Sequence, residues 1–101
     1  MNSNTLHIAH FEYEGKHYQL REPLIVDLDH LDGFWVFSNT EINLWGCAAR
    51  REDALRALAA NFDYLWREFA MEEDSTLDEK AQDIKRTLLQ LVESISKESE
   101  Q

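Results

Sequence analysis

The side chains in this chain that are able to do chemistry are four histidines, one cysteine and twenty acidic residues. His10, Glu12 and His17 fall on one face of a predicted hairpin, with Glu12 opposite His17 and His10 diagonal to it. Two imidazoles and a carboxylate are a donor set that transition metals accept. That face is expected to meet solvent without the further groups that orient ligands, so the expectation is surface histidines and no metal. His7 and His30 have no evident partners. Asp27, Asp29 and Asp32-Gly33 resemble a calcium loop only loosely, because the fifth position, which such a loop gives to an acid, is Leu31. Asp32-Gly33 reads as turn chemistry, and the two earlier aspartates as the wet side of a strand. Cys47 follows Trp45 and Gly46 and reads as a small buried hydrophobe, not as a low-pKa thiolate. With three glycines there is no phosphate-cradling loop, and no carboxylate pair stands out. The sequence therefore predicts no catalytic, metal or cofactor residue.

Charge narrows the range of partners. Twenty acidic against ten basic side chains give a formal net charge of −10. Phosphate backbones and anionic lipid surfaces are repelled by such a chain, so neither nucleic acid nor membrane is expected. A recognition helix near the C-terminus is excluded by the same balance: beyond Met71 there are nine acidic residues and only Lys80, Lys85, Arg86 and Lys97 as cations. Basic or mixed protein partners are favoured. A lone cysteine and no apolar run near ~18 residues predict a chain of the reducing cytoplasm.

The elements that must hold these residues follow from periodicity. Length and a hydrophobic fraction of 44% predict a single folded domain over 1–101, with solvated ends at 1–4 and 98–101. Thr5–Tyr13 alternates, Glu14-Gly15 supplies a turn, and Lys16–Arg21 returns. This predicts a hairpin with Phe11 facing Tyr18 and Ala9 facing Leu20. Pro23 has no N–H to give a ladder and is expected to end that strand. A short strand Leu24–Leu28, the turn at His30–Gly33, the strand Phe34–Ser38, a turn at Asn39-Thr40 and the strand Glu41–Ala48 complete the sheet. In the last hairpin, Trp35, Phe37, Ile42 and Leu44 share one face, and Phe34, Val36, Asn43 and Trp45 the other. Both faces carry aromatics, although antiparallel sheets commonly leave one face polar.

Arg50–Met71 is the predicted organising helix. Leu55, Leu58, Phe62, Leu65 and Phe69 recur at steps of three and four. Glu52 with Arg56 and Asp63 with Arg67 are acid-first pairs on its charged face. Arg50 is a poor cap, partly offset by Glu52 and Asp53 at the positive end of the dipole. Ser75 or Thr76 is expected to cap a second, acidic helix over 76–97. Its seam of Leu77, Ala81, Ile84, Leu88, Leu91 and Ile95 has heptad spacing.

The segment Ile25–Leu65 resembles the HicB-like antitoxin family. The likeness rests on the Asp32-Gly33 turn, Phe34 and Trp35 in the strand after it, Gly46 in the next strand, and Glu52-Asp53-Ala54-Leu55 opening the helix. It implies a β-β-β-α core of partial RNase H type over 24–71, without nuclease activity, that binds and blocks a small basic RNA-cleaving toxin. The 5–21 hairpin is additional. The acidic helix stands where many members carry a DNA-binding module, so operator binding is not implied.

Together these readings predict an α+β domain, ordered β-β-β-β-β-α-α, that works as a non-enzymatic protein-binding module. Phe34, Val36 and Trp45 are the expected partner surface. Ile84, Leu88, Leu91 and Ile95 are the expected contacts if the chain pairs with itself as a homodimer. The alternatives are a homo-oligomeric structural protein and an acidic mimic of nucleic acid.

Overall fold

In the computed structural model, which describes residues 4–97, two tight turns have both central residues in the left-handed region. They are Glu14 (φ 49°) with Gly15 (φ 80°), and Asp32 (φ 54°) with Gly33 (φ 82°). The twist of such turns matches that of the strands they join. The first closes β1 (Thr5–Tyr13) onto β2 (Lys16–Leu31), and the second closes β2 onto β3 (Phe34–Asn39). After β3 the Asn39 side chain accepts from the N–H groups of Glu41 at 2.9 Å and Ile42 at 3.3 Å. This bends residues 40–43 into a four-residue turn and drops Ile42 into the core. Strand β4 is therefore Leu44–Ala48, shorter than the expected Glu41–Ala48.

Pro23 does not end a strand. β2 runs sixteen residues straight through it. Antiparallel β1 lies along one edge of β2, and the other edge is shared by β5 (Val92–Lys97) over Lys16–Leu20 and by β3 over Asp27–Leu31. Pro23 sits between those two stretches, where β2 has no registered partner, so its missing N–H costs no ladder bond. Opposite it the β1 ladder also breaks, because only Ala9 faces Leu20–Pro23. The Gln19 side chain donates to the Ala9 carbonyl at 3.3 Å across that gap. Phe11 pairs with Tyr18 as expected, whereas Ala9 does not pair with Leu20. Asn4, expected in the solvated end, accepts the Leu28 N–H at 2.9 Å; the other expected ends, 1–3 and 98–101, lie outside the described residues.

Helix α1 (Arg51–Leu65) continues through a π-helical turn, Trp66–Ala70, to Met71. Its N-cap, Arg50, makes no side-chain cap bond. The helix lies chiefly over β4, with β1 and β3 alongside. Gly46 sets how closely it sits: a Cβ there would stand 2.5 Å from the Leu58 nitrogen and 2.8 Å from the Ala54 carbonyl oxygen. Only a residue without a side chain admits that contact of backbone on backbone. A 3-10 turn, Asp74–Thr76, leads to α2 (Glu79–Leu91). The cap of α2 is Asp78, which accepts the Ala81 N–H at 2.8 Å, and not Ser75 or Thr76.

The second helix stops at Leu91, and Val92–Lys97 turns back as β5 beside β2. The order is thus β-β-β-β-α-α-β, with four strands in sequence and the fifth closing the sheet after the helices. Val92, Ile95 and the serines between and after them favour extended chain over helix. One core joins Phe11, Tyr18, Val26, Phe37, Leu44, Leu58, Phe62, Ile84, Leu88 and Val92, drawn from every strand and both helices. Among the described residues no helix is long and apolar enough to cross a membrane.

Candidate functional site

Alternation along the strands divides the sheet into two faces. Val26 of β2, Phe37 of β3 and Leu44 of β4 point under α1 and are buried. Their neighbours Ile25, Val36 and Trp45 point the other way, onto a face that neither helix covers. The register aligns this outer face in rows across the strands. Thr5, Asp27, Ser38 and Trp45 form one row, Asp29, Val36 and Cys47 the next, and Leu31 with Phe34 the last. Leu31 is 61%, Trp45 58% and Phe34 48% exposed. Val36 and Cys47 are half-buried between them. A contiguous uncovered apolar patch of this kind marks an interaction surface more often than ordinary protein surface.

The patch has a charged border. Asp27 and Asp29 project from β2 onto the same face. Neither carboxylate enters an ion pair among the described residues. No lysine or arginine occupies the rows just named. Phe34, Val36 and Trp45 are therefore together on one open face. Ile25, Leu31 and the two aspartates were not singled out for it from the sequence. Their signal was the alternation Ile25, Asp27, Asp29, Leu31, which extends three residues beyond the short strand expected there.

The expected self-association seam does not exist as a helix face. Ile84 and Leu88 are buried within the chain's own core, and Leu91 is half-buried against it. Ile95 is not helical at all: it lies on β5 opposite Tyr18 and is 38% exposed. Val92 and Ile95 stay on one side of β5 although they are three residues apart, because the ladder shifts between Gln19 and Leu20 and leaves Glu93 unpaired. The expected helical seam joins Ile95 to Leu91, four residues earlier, but Leu91 is the last residue of α2 and Ile95 belongs to β5.

Asp63 was expected on the solvent side of α1, yet it is only 2% exposed. The Tyr18 hydroxyl donates to its Oδ1 at 2.5 Å, Arg67 Nε donates to its Oδ2 at 2.9 Å, and Lys16 forms an ion pair with Oδ1. Burial pushes this carboxyl up, but hydrogen bonds from Lys16, Tyr18 and Arg67 outweigh it and hold Asp63 below the usual aspartate range. Burial and then the bond to Asp63 push the Tyr18 phenol well above its ordinary value. The group is saturated with donors and lies under the sheet, away from the outer face. Its evident work is to tie the start of β2 to the end of α1.

On the outer side of the first hairpin, Glu12 pairs with His17, and the His17 Nδ1 lies 3.0 Å from a Glu12 carboxylate oxygen. The His10 and His17 rings stack at 4.8 Å between centroids. No cluster of three or more His, Cys, Asp or Glu side chains suited to a metal ion occurs among the described residues. His30 stacks on Trp35 at 4.3 Å. Cys47 is half-buried in the outer patch and not fully buried as expected.

Fold and site define an α+β domain with one helix-covered sheet face and one bare, apolar and acidic face. No protein-family model, curated protein or solved structure matched the chain.

Proposed function

We propose that the chain is a non-catalytic protein-binding module that engages a small basic partner through the outer face of its sheet. One observation carries this reading: Leu31, Phe34 and Trp45 stand exposed beside two carboxylates that enter no ion pair among the described residues. Burying the apolar side chains in an interface contributes about 25 cal/mol per Å² of surface removed from water. Burying Asp27 and Asp29 with them costs free energy unless the partner supplies cations. A second copy stacked through the same face brings two further carboxylates and no lysine or arginine from these rows, so charge favours a basic partner over self-pairing.

An antitoxin-like role in the manner of the HicB-like family is the specific form of this proposal. It is supported by the succession of strand, Asp32-Gly33 turn, aromatic strand, Gly46-bearing strand and α1, together with the net charge of −10. The test is to express the chain with the product of the adjacent reading frame. The expected result is a small basic neighbour that inhibits growth alone, is neutralised by this chain, and co-purifies with it at low but not at high salt. Trp45→Asp should abolish co-purification while leaving the fold intact. A neighbour that is not basic, or a complex indifferent to Trp45→Asp, would overturn the proposal.

A further inference from the structure

The far edge of β1 has no strand beside it among the described residues. Other edges of the sheet are blunted. At β4 the Trp45 N–H is taken by the Asn61 side chain at 2.9 Å. β5 is six residues long, interrupted at the unpaired Glu93 and charged there and at Lys97. Natural edges are kept from pairing by such short, charged strands, and by lysine or proline. β1 is nine residues long, has no lysine, arginine or proline, and carries Glu12 as its one carboxylate. Its two ends fix which backbone groups are free. Asn4 accepts the Leu28 N–H, and Tyr13 and Lys16 flank a two-residue turn. Alternation from those points turns the N–H and C=O groups of Leu6, Ile8, Phe11 and Tyr13 toward β2, and those of Thr5, His7, His10 and Glu12 away from it. The side chains follow the same division. Leu6, Ile8, Phe11 and Tyr13 all pack toward the core, which takes a three-residue step across the irregular Ala9–His10. A hollow of about 410 Å³ lies between this edge and α1, with Leu55 and Ala59 on the helix side.

We propose that β1 is a self-association edge: two copies pair antiparallel along it, with His7 of each opposite Glu12 of the other, and join their sheets into one. This register sets outward-turned backbone groups against each other. It places Ile8 opposite Phe11 and Leu6 opposite Tyr13 on the core side, and imidazole opposite carboxylate on the other. In an unbroken strand Ile8 and Phe11 would point to opposite faces, so the Ala9–His10 irregularity, which falls on the two-fold axis, is what admits the pairing. Two chains of net charge −10 repel each other. Along β1 each copy contributes a single carboxylate, and that carboxylate meets an imidazole. The axis of such a pair stands perpendicular to the sheet, so both outer faces remain open on one side. The inference is therefore independent of the docking function above.

The test is sedimentation of the full chain over a wide range of concentration. A dimer that dissociates on dilution is expected, with amide exchange at His7, His10 and Glu12 slowing as the dimer forms. His7→Pro removes an N–H that the chain's own ladder does not use, and is expected to give a monomer of unchanged circular dichroism. His7→Glu, at an exposed position, sets like charges opposite each other; it is expected to weaken the dimer, and Glu12→Lys added to it to restore the dimer. It carries the test if proline disturbs the fold. Trp45→Asp is expected to leave the dimer's mass unchanged, which separates this result from that of the outer face. A monomer at every concentration, or a dimer indifferent to both His7→Pro and His7→Glu, would overturn the proposal. A dimer lost with His7→Glu and not regained with Glu12→Lys would overturn the register.

Discussion

Asp63 shows at the residue scale how a pattern read correctly still misplaces a side chain. Its pairing with Arg67 at i,i+4 forms as the spacing suggests. However, that pairing usually signals an exposed helix face, and this carboxylate is buried. The reason lies 45 residues away in sequence, in Tyr18, and further still in Lys16, neither of which periodicity along α1 reveals. Asp63→Leu leaves the buried Tyr18 hydroxyl without its acceptor and is expected to cost about 1–3 kcal/mol, read from the urea midpoint. The pH dependence follows from the two shifts. Asp63 is depressed, so its contribution is complete above the ordinary aspartate value of about 4 and is lost as pH falls below it. Tyr18 is raised, so its contribution is complete below the ordinary phenol value of about 10 and is lost as pH climbs beyond it. Urea unfolding of Tyr18→Phe is expected to show a shallower alkaline fall than the parent chain. An identical fall would remove Tyr18 from the network. At Gly46 an added methyl group meets the backbone of Leu58 and Ala54 rather than a movable side chain. Gly46→Ala is therefore expected to reach the upper end of overpacking costs, about 3 kcal/mol, with α1 displaced from β4.

At the scale of elements, the hairpins and the long helix were legible because each carries a local signature. Glu14-Gly15 and Asp32-Gly33 are turn chemistry, Phe34–Ser38 is β-rich, and the apolar side chains from Leu55 to Leu65 repeat at helical spacing. Two elements were not legible. β2 crosses Pro23 because its neighbours change there, a fact set by strands far away in sequence. β5 read as helix because Ile95 follows Leu91 at a four-residue step that continues the seam of α2, although the chain is already extended from Val92. The two readings of the 76–97 segment part experimentally at Leu88. As a core residue, Leu88→Ala is expected to cost about 2–5 kcal/mol in denaturant unfolding, with no change in the particle's mass by sedimentation. A fall from dimer to monomer with stability unchanged would restore the intermolecular seam. Ile95→Ser, at a part-exposed position of β5, is expected to cost markedly less.

For the whole molecule, the sequence made it plain that both faces of the sheet carry aromatic side chains, and that only one can lie under α1. It did not reveal that the other stays bare, because a second helix of the expected length is able to fold over either face. α2 instead packs on the π-helical turn after α1 and against β2. Phe34, Val36 and Trp45 were legible from alternation alone; Asp27 and Asp29, read as the wet side of a strand, are joined to the same surface by the register of β2 against β3. Docking through this surface has an electrostatic component between the two aspartates and the partner's cations, so the affinity for a basic partner is expected to fall as ionic strength rises. The Asp27→Lys, Asp29→Lys chain is expected to lose most of that salt dependence, as titration calorimetry at two salt concentrations would show.

The central claim is that a basic protein partner covers the outer face, and Trp45 reports on it directly. In a chain carrying Trp35→Phe and Trp66→Phe, all tryptophan emission comes from Trp45. Adding the partner is expected to shift that emission to the blue and to protect it from acrylamide quenching. A complex that forms with the Trp45 emission and quenching unchanged would contradict the claim.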